Sequence, residues 1–197
     1  MKIEKIINSY FEVNSYLFEY NNYLFIVDPG SDLNKIIKVI DNRKLDYILL
    51  THGHMDHIGS VKDLVKLYDS KVYASEFDKE YINGDIILDP YFNKNNYRFN
   101  FIDYSNFNFK GIKIINTPGH SKGSVCILLE NEDILFSGDT LFKGSFGRFD
   151  FPLGNFKELK NSINYLFSLN ENIKIYPGHG EISQIKDEKV KNMINFY

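Results

Sequence analysis

Tryptophan is absent from this 197-residue chain, and cysteine occurs once, at Cys126. A single cysteine excludes an internal disulfide framework of the kind that staples small secreted domains. No apolar run reaches the roughly eighteen residues that a membrane-spanning helix requires. Positive charge is not in excess either: 23 Lys and Arg stand against 26 Asp and Glu, for a net charge of −3. That balance offers no basic field to nucleic acid or to an anionic membrane. The opening MKIEKIINSYFEVNSY alternates polar and apolar residues and lacks the apolar block and cleavage site of a signal peptide. A cytoplasmic protein is expected. The heavy use of Asn, Lys, Ile, Tyr and Phe is the mark of codon bias in an AT-rich genome, and no function is attached to it.

What remains is ordinary globular material, 43% hydrophobic and long enough for one sizeable domain over 1–197. SYLFEY (15–20) and YLFIVD (23–28) flank Asn21-Asn22, a tight hairpin turn. Leu33, Ile36, Ile37 and Ile40 fall on one helical face, and DYILLTH (46–52) suits a buried strand. Val61, Leu64, Val65 and Tyr68 predict a second helix, with Ser60 as its N-cap, followed by the strand KVYAS (71–75). Residues 82–106 show no clean period and read as a long connection after a short helix near 77–81. Strand signals return from 107, with turns at Lys110-Gly111 and Asn131-Glu132. Asn155 and Glu158 form a capping box before a helix bearing Phe156, Leu159, Ile163 and Leu166. IKIYPGHG is the last strand, and a final helix carries Val190, Met193, Ile194 and Tyr197. Cys126, among apolar neighbours in SVCILLE, packs as a small hydrophobe. The alternation predicts two sheets with helices outside them.

Histidine is the informative scarcity. There are five, and THGHMDHIGS (51–60) takes three of them: His52, His54 and His57, with Asp56 between. His120 in TPGHS and His179 in YPGHG each follow Pro-Gly after a strand-like run, and Asp139 in SGDT sits at another strand end. Scattered surface or core histidines would not share this context. Imidazole with carboxylate suits Zn, Fe or Mn. Seven donors without a thiolate exceed one tetrahedral ion and divide between two, with one carboxylate shared. Two ions about 3.5–4 Å apart can hold a hydroxide and polarise a substrate oxygen, which is hydrolytic chemistry. Within the first loop, His52 and His54 would turn to one ion and Asp56-His57 to the other, with Gly53 supplying backbone freedom.

THGHMDHIG, TPGHSKGS, FSGDTLF and YPGHG, in this order and preceded by FIVDPG, resemble the metallo-β-lactamase superfamily along essentially the whole chain. The resemblance implies an α/β fold, a four-layer αβ/βα sandwich of two mixed sheets flanked by helices. It implies that His52, His54 and His120 hold one metal, that Asp56, His57 and His179 hold the other, and that Asp139 bridges them. A metal-bridging hydroxide would be the nucleophile, and Asp28 would orient the loop or a histidine N–H.

His57 and GDTLFKGSFGRFDFPLGN (138–155) resemble the glyoxalase II side of the superfamily, in its short bacterial form. The expected reaction is hydrolysis of a small-molecule thioester such as S-D-lactoylglutathione, with two divalent ions, zinc first and iron or manganese as alternatives. Full-length glyoxalase II enzymes add a C-terminal helical domain that helps grip glutathione, and no such domain is expected in the short stretch after the last motif here. Arg148 is then the first candidate for a substrate carboxylate and Lys143 the second, Arg148 pairing with Asp150 if its role is structural. A mononuclear-iron persulfide dioxygenase is the alternative, and a lactonase or a nuclease ranks lower.

Overall fold

The computed structural model describes residues 1–196, without the side chains of Lys94, Asn195 and Phe196. Tyr197, expected on the last helix, lies outside the described residues. The chain forms two compact units, Met1–Phe107 and Asn108–Tyr197. Among the described residues no helix is long and apolar enough to cross a membrane.

The first unit is built on a six-stranded sheet in sequence order. β1 (Ile3–Ile7), β2 (Asn14–Tyr20) and β3 (Tyr23–Val27) pair antiparallel. The turn at Asn21-Asn22 is as tight as its sequence predicts: both residues have positive φ, 50° and 66°, and Tyr20 pairs with Tyr23. Helix α1 (Leu33–Ile40) leads to β4 (Tyr47–Leu49), which runs parallel to β3. The short helices α2 (Met55–Ile58) and α3 (Val61–Tyr68) follow, then β5 (Lys71–Ala74), α4 (Lys79–Ile82) and the edge strand β6 (Ile102–Asp103). Ile36, Ile40, Ile48, Leu50, Ile58, Val61 and Leu64 share one core, which explains why β4 reads as an unbroken apolar run.

One expectation for this unit changes. Ser60 does not cap α3 with its side chain; its hydroxyl and amide instead donate to the carbonyls of Gly30 and Pro29, so it ties the helix to the preceding loop. The aperiodic stretch 82–106 is a long connection, as expected, and it also contributes to the core. Phe92 and Tyr97 are buried in the core, with Leu88, Phe99 and Phe101 packed against it.

The second unit carries a five-stranded sheet in the order β13-β12-β9-β8-β7. β7 (Ile112–Asn116), β8 (Val125–Leu129) and β9 (Ile134–Gly138) are antiparallel. A two-stranded ribbon, β10 (Leu141–Phe142) with β11 (Ser145–Phe146), precedes α5 (Phe156–Phe167). β12 (Lys174–Pro177) then inserts parallel to β9, with β13 (Ser183–Gln184) at its edge, and α6 (Ile185–Lys191) follows. Asn155 caps α5 by accepting the Glu158 amide at 3.0 Å, as its sequence predicts. The Lys110-Gly111 turn closes a single bridge, Phe109 to Ile112, rather than a full hairpin.

The last helix is shorter than expected. It ends at Asn192, whose amide donates to the carbonyls of Phe142 and Ser145 and to Glu188, and a 3-10 turn over Met193–Phe196 follows. Val190 is accordingly exposed, while Ile185 and Ile194 enter the core with Leu159, Ile163 and Leu166.

Candidate metal centre

In the first unit the histidine loop leaves the carboxyl end of β4, and Asp28 leaves the carboxyl end of the adjacent β3. Open sheets present their ligand groups at such ends. Asp28 is 1% exposed and has a left-handed backbone, φ 48°, which aspartate tolerates. Its Oδ1 accepts the Thr51 amide at 2.7 Å, and its Oδ2 accepts the Thr51 hydroxyl at 2.6 Å and His57 Nδ1 at 3.0 Å. A carboxylate only accepts, so His57 carries its hydrogen on Nδ1 and its lone pair on Nε2. The Thr51 hydroxyl spends its one hydrogen on Asp28, so its 3.0 Å contact with His52 Nδ1 requires that nitrogen to donate as well. One buried carboxylate therefore sets the tautomer of two histidines and leaves both with the lone pair on Nε2. Asp28, His52 and His57 form a cluster within ligand distance of one another, yet both Asp28 oxygens are engaged in holding its neighbours.

His54 packs edge-on against His52, with ring centroids 4.6 Å apart, and against Tyr81, also at 4.6 Å. Burial, then the carboxylates of Asp78 and Glu80, push the Tyr81 phenol far up, so it stays neutral beside the imidazole. Between the two histidines the Gly53 amide donates to Asp78 Oδ2 at 2.8 Å. A Cβ at Gly53 would meet Asp78 and Tyr81 at 3.0–3.1 Å, so glycine serves close approach here rather than backbone freedom. Asp56 is half-buried, with Oδ2 3.7 Å from His57 Nε2.

The second unit repeats the logic with different parts. His120 follows β7, Asp139 follows β9 and His179 follows β12. His120 Nδ1 donates to the Arg148 carbonyl at 2.7 Å, which leaves its lone pair on Nε2. That nitrogen lies 3.6 Å from Asp139 Oδ2, and His179 Nε2 lies 3.4 Å from the same oxygen. Gly147 makes this possible: a Cβ there would sit 1.9 Å from the Asp139 carbonyl and 3.0 Å from His120 Nδ1.

The donor set fits divalent ions. At His57–Asp56 and at His120–Asp139 a ring nitrogen bearing a lone pair faces a carboxylate oxygen, acceptor against acceptor, an arrangement that a cation between them stabilises.

The family profile of the metallo-β-lactamase superfamily matches residues 10–179. The chain belongs to the metallo-β-lactamase superfamily. Its two main mixed sheets with helices are that superfamily's fold. Among superfamily members, hydroxyacylglutathione hydrolase GloC of Haemophilus influenzae is 31% identical over 211 residues, covering 98% of this chain and 97% of that protein. Among solved structures, TTHA1623 in a di-iron-bound form superimposes with a TM-score of 0.87 at 28% identity, covering 96% of this chain and 98% of that one. The BLEG-1 B3 metallo-β-lactamase gives 0.85 at 29% identity, with 98% of each chain covered.

The two residues expected to grip substrate lie in the second unit. The Arg148 guanidinium is exposed, donates from Nε and Nη2 to the two oxygens of Asp150 at 2.9 and 2.8 Å, and lies 4.1 Å over the Phe151 ring. Lys143 pairs with the exposed carboxylate of Glu181. Three residues with no motif signal of their own also shape the first unit's site. Asn8 and Ser15, both fully buried, hold the turn after β3: Ser15 Oγ donates to the Asp28 carbonyl, and Asn8 donates to Ser15. Asp78, also fully buried, is the third, and its position directly before the charged pair Lys79-Glu80 gives no sequence cue that it reaches Gly53.

Proposed function

We propose that the chain is a cytoplasmic metal-dependent hydrolase that cleaves a small-molecule thioester of the hydroxyacyl-glutathione type. In this reading His52, His54 and His120 hold one divalent ion, Asp56, His57 and His179 hold a second, and Asp139 serves both. The observation that carries it is the meeting of two imidazole nitrogens on one Asp139 oxygen, at 3.6 and 3.4 Å. Likeness to GloC over nearly the whole of both chains supports the thioester, and likeness to di-iron TTHA1623 supports iron beside zinc as the metal. Such ions supply an activated water and polarise the scissile carbonyl.

The protein's own part is to orient and to hold protons in place. Asp28 and Thr51 fix which nitrogen of His52 and His57 is presented, and the Arg148 carbonyl does so for His120. Arg148 and Lys143 are the proposed grips for an anionic substrate, each exchanging its present carboxylate, Asp150 or Glu181, for one on the substrate.

The test is hydrolysis of S-D-lactoylglutathione by the metal-loaded chain, with and without a chelator. Chelator-sensitive turnover is expected. No turnover with metal bound overturns the glutathione thioester. A β-lactam is the second substrate class, supported by the likeness to BLEG-1, and a chromogenic cephalosporin in parallel separates the two.

A further inference from the structure

The chain has three arginines, and two of them hold carboxylates: Arg43 binds Glu4 and Glu19, and Arg148 binds Asp150. Arg98 does not. Its Nε donates to the Asn83 carbonyl at 2.9 Å, which leaves the two terminal nitrogens of the fork for another partner. Lys62 is held in the same way, by the Asn95 carbonyl at 3.0 Å. Both line one open depression of about 360 Å³ in the first unit, together with Asn83, Ile87, Asn95 and Tyr97, and among the described residues no acidic one lines it. In a chain of net charge −3, two cations moored to backbone carbonyls in one concavity are set for an incoming anion.

Two further observations tie the depression to function. Arg98 has φ 64°, a left-handed backbone that a long side chain rarely adopts, and its amide is anchored to the Ile82 carbonyl at 2.7 Å. The depression also adjoins the histidine loop. Lys62 is the second residue of α3, just after that loop, and Asn83 directly follows α4, whose Tyr81 packs edge-on against His54 with ring centroids 4.6 Å apart.

We propose that this depression is an anion subsite that takes a carboxylate of the thiol carrier, with the Arg98 fork and the Lys62 ammonium as its ligands and Ile87 and Tyr97 against the adjoining methylenes. The assignment rests on the thioester reading above and names the carrier's class: a peptide-like thiol with a terminal carboxylate. The guanidinium fork holds a planar carboxylate bidentately and would hold a phosphate as well, so the carboxylate follows from the peptide-like carrier of the thioester reading, and the test separates the two.

The test is calorimetric binding to the metal-loaded protein of S-methylglutathione, which cannot be hydrolysed, and of its glycine-amide analogue. The wild type is expected to prefer the acid by about tenfold, the worth of one charge-assisted contact. Arg98→Gln is expected to abolish the preference and Lys62→Gln to reduce it, with melting temperatures unchanged because both side chains are exposed. Equal binding of acid and amide, no binding of the acid, or a preference that survives in both variants overturns the subsite. Turnover of a coenzyme A thioester alongside such a result leaves the hydrolase reading standing and moves the carrier to a phosphate-bearing thiol. Absence of turnover on every thioester, with the acid preference intact, overturns the hydrolase reading alone.

Discussion

The carboxylate of Asp28 takes both hydrogens that Thr51 can give it, the amide at 2.7 Å and the hydroxyl at 2.6 Å. Because that hydroxyl has no second hydrogen, it must accept from His52. Thr51→Val removes this relay while keeping the side chain's shape, and Thr51→Ser keeps it. Val is expected to weaken metal retention about tenfold or more, the usual effect of losing a group that orients a metal-binding histidine, with Ser near wild type. Chelator competition measures the retention. Nitrogen-15 spectra of the metal-free protein report the His52 tautomer directly. Equal retention in Val and Ser variants, with an unchanged tautomer, refutes the relay.

Asp78 supports the same loop from its other side. Its Oδ2 is the acceptor for the Gly53 amide, in a place with no solvent access. Asp78→Ala leaves a buried donor without that acceptor and is expected to lower unfolding stability by about 1–3 kcal/mol, with Asp78→Asn costing less. Denaturant unfolding of the metal-free protein measures this, and an Ala variant as stable as wild type contradicts it.

These two residues show where legibility in the sequence ends. The candidate donors stood out because His52, His54, Asp56, His57, His120, Asp139 and His179 each carry local context: a Gly-containing loop or turn at the end of a strand-like run. The hairpin at Asn21-Asn22 and the Asn155 cap were readable for the same reason, since each depends on neighbours a few positions away. Asp78 meets Gly53 across 25 positions, and Asn8 holds Ser15 only because β1 and β2 pair; neither contact leaves a periodic trace. Ser60 misled because a serine before an apolar face is a capping signal, and only tertiary packing offers it the better acceptor at Gly30. The 82–106 stretch hid its role because Phe92 and Tyr97 enter the core from irregular backbone, where spacing carries no information.

Cys126 is fully buried in β8, and burial pushes its thiol up to about 12. It is expected to resist a thiol reagent at pH 8 in the folded protein and to react at once in denaturant. Rapid labelling under native conditions contradicts its place in the core.

Asp103 governs part of the acid stability. Burial raises its pKa, but the hydrogen bonds it accepts from Ser105, Glu76 and Tyr104 outweigh that and hold it below the ordinary aspartate value. Its folded pKa is thus lower than its unfolded one, about 3.9. The stability it contributes is present above the unfolded pKa and lost as pH falls through the folded one. Urea midpoints of wild type and Asp103→Asn, compared from pH 7 down to 2, should converge as the pH falls. A constant gap across that range rules the assignment out.

The central claim is a two-metal centre with Asp139 serving both ions. It is tested most directly by titrating the metal-free chain with Zn2+, and in parallel with Fe2+, while following S-D-lactoylglutathione hydrolysis and oxygen uptake. The account predicts that turnover saturates at about two equivalents per chain, that Asp139→Ala loses both turnover and the second equivalent, and that no oxygen is consumed. Full activity at one equivalent of iron, with oxygen uptake on a persulfide, would contradict it and assign the chain to mononuclear oxygen chemistry instead.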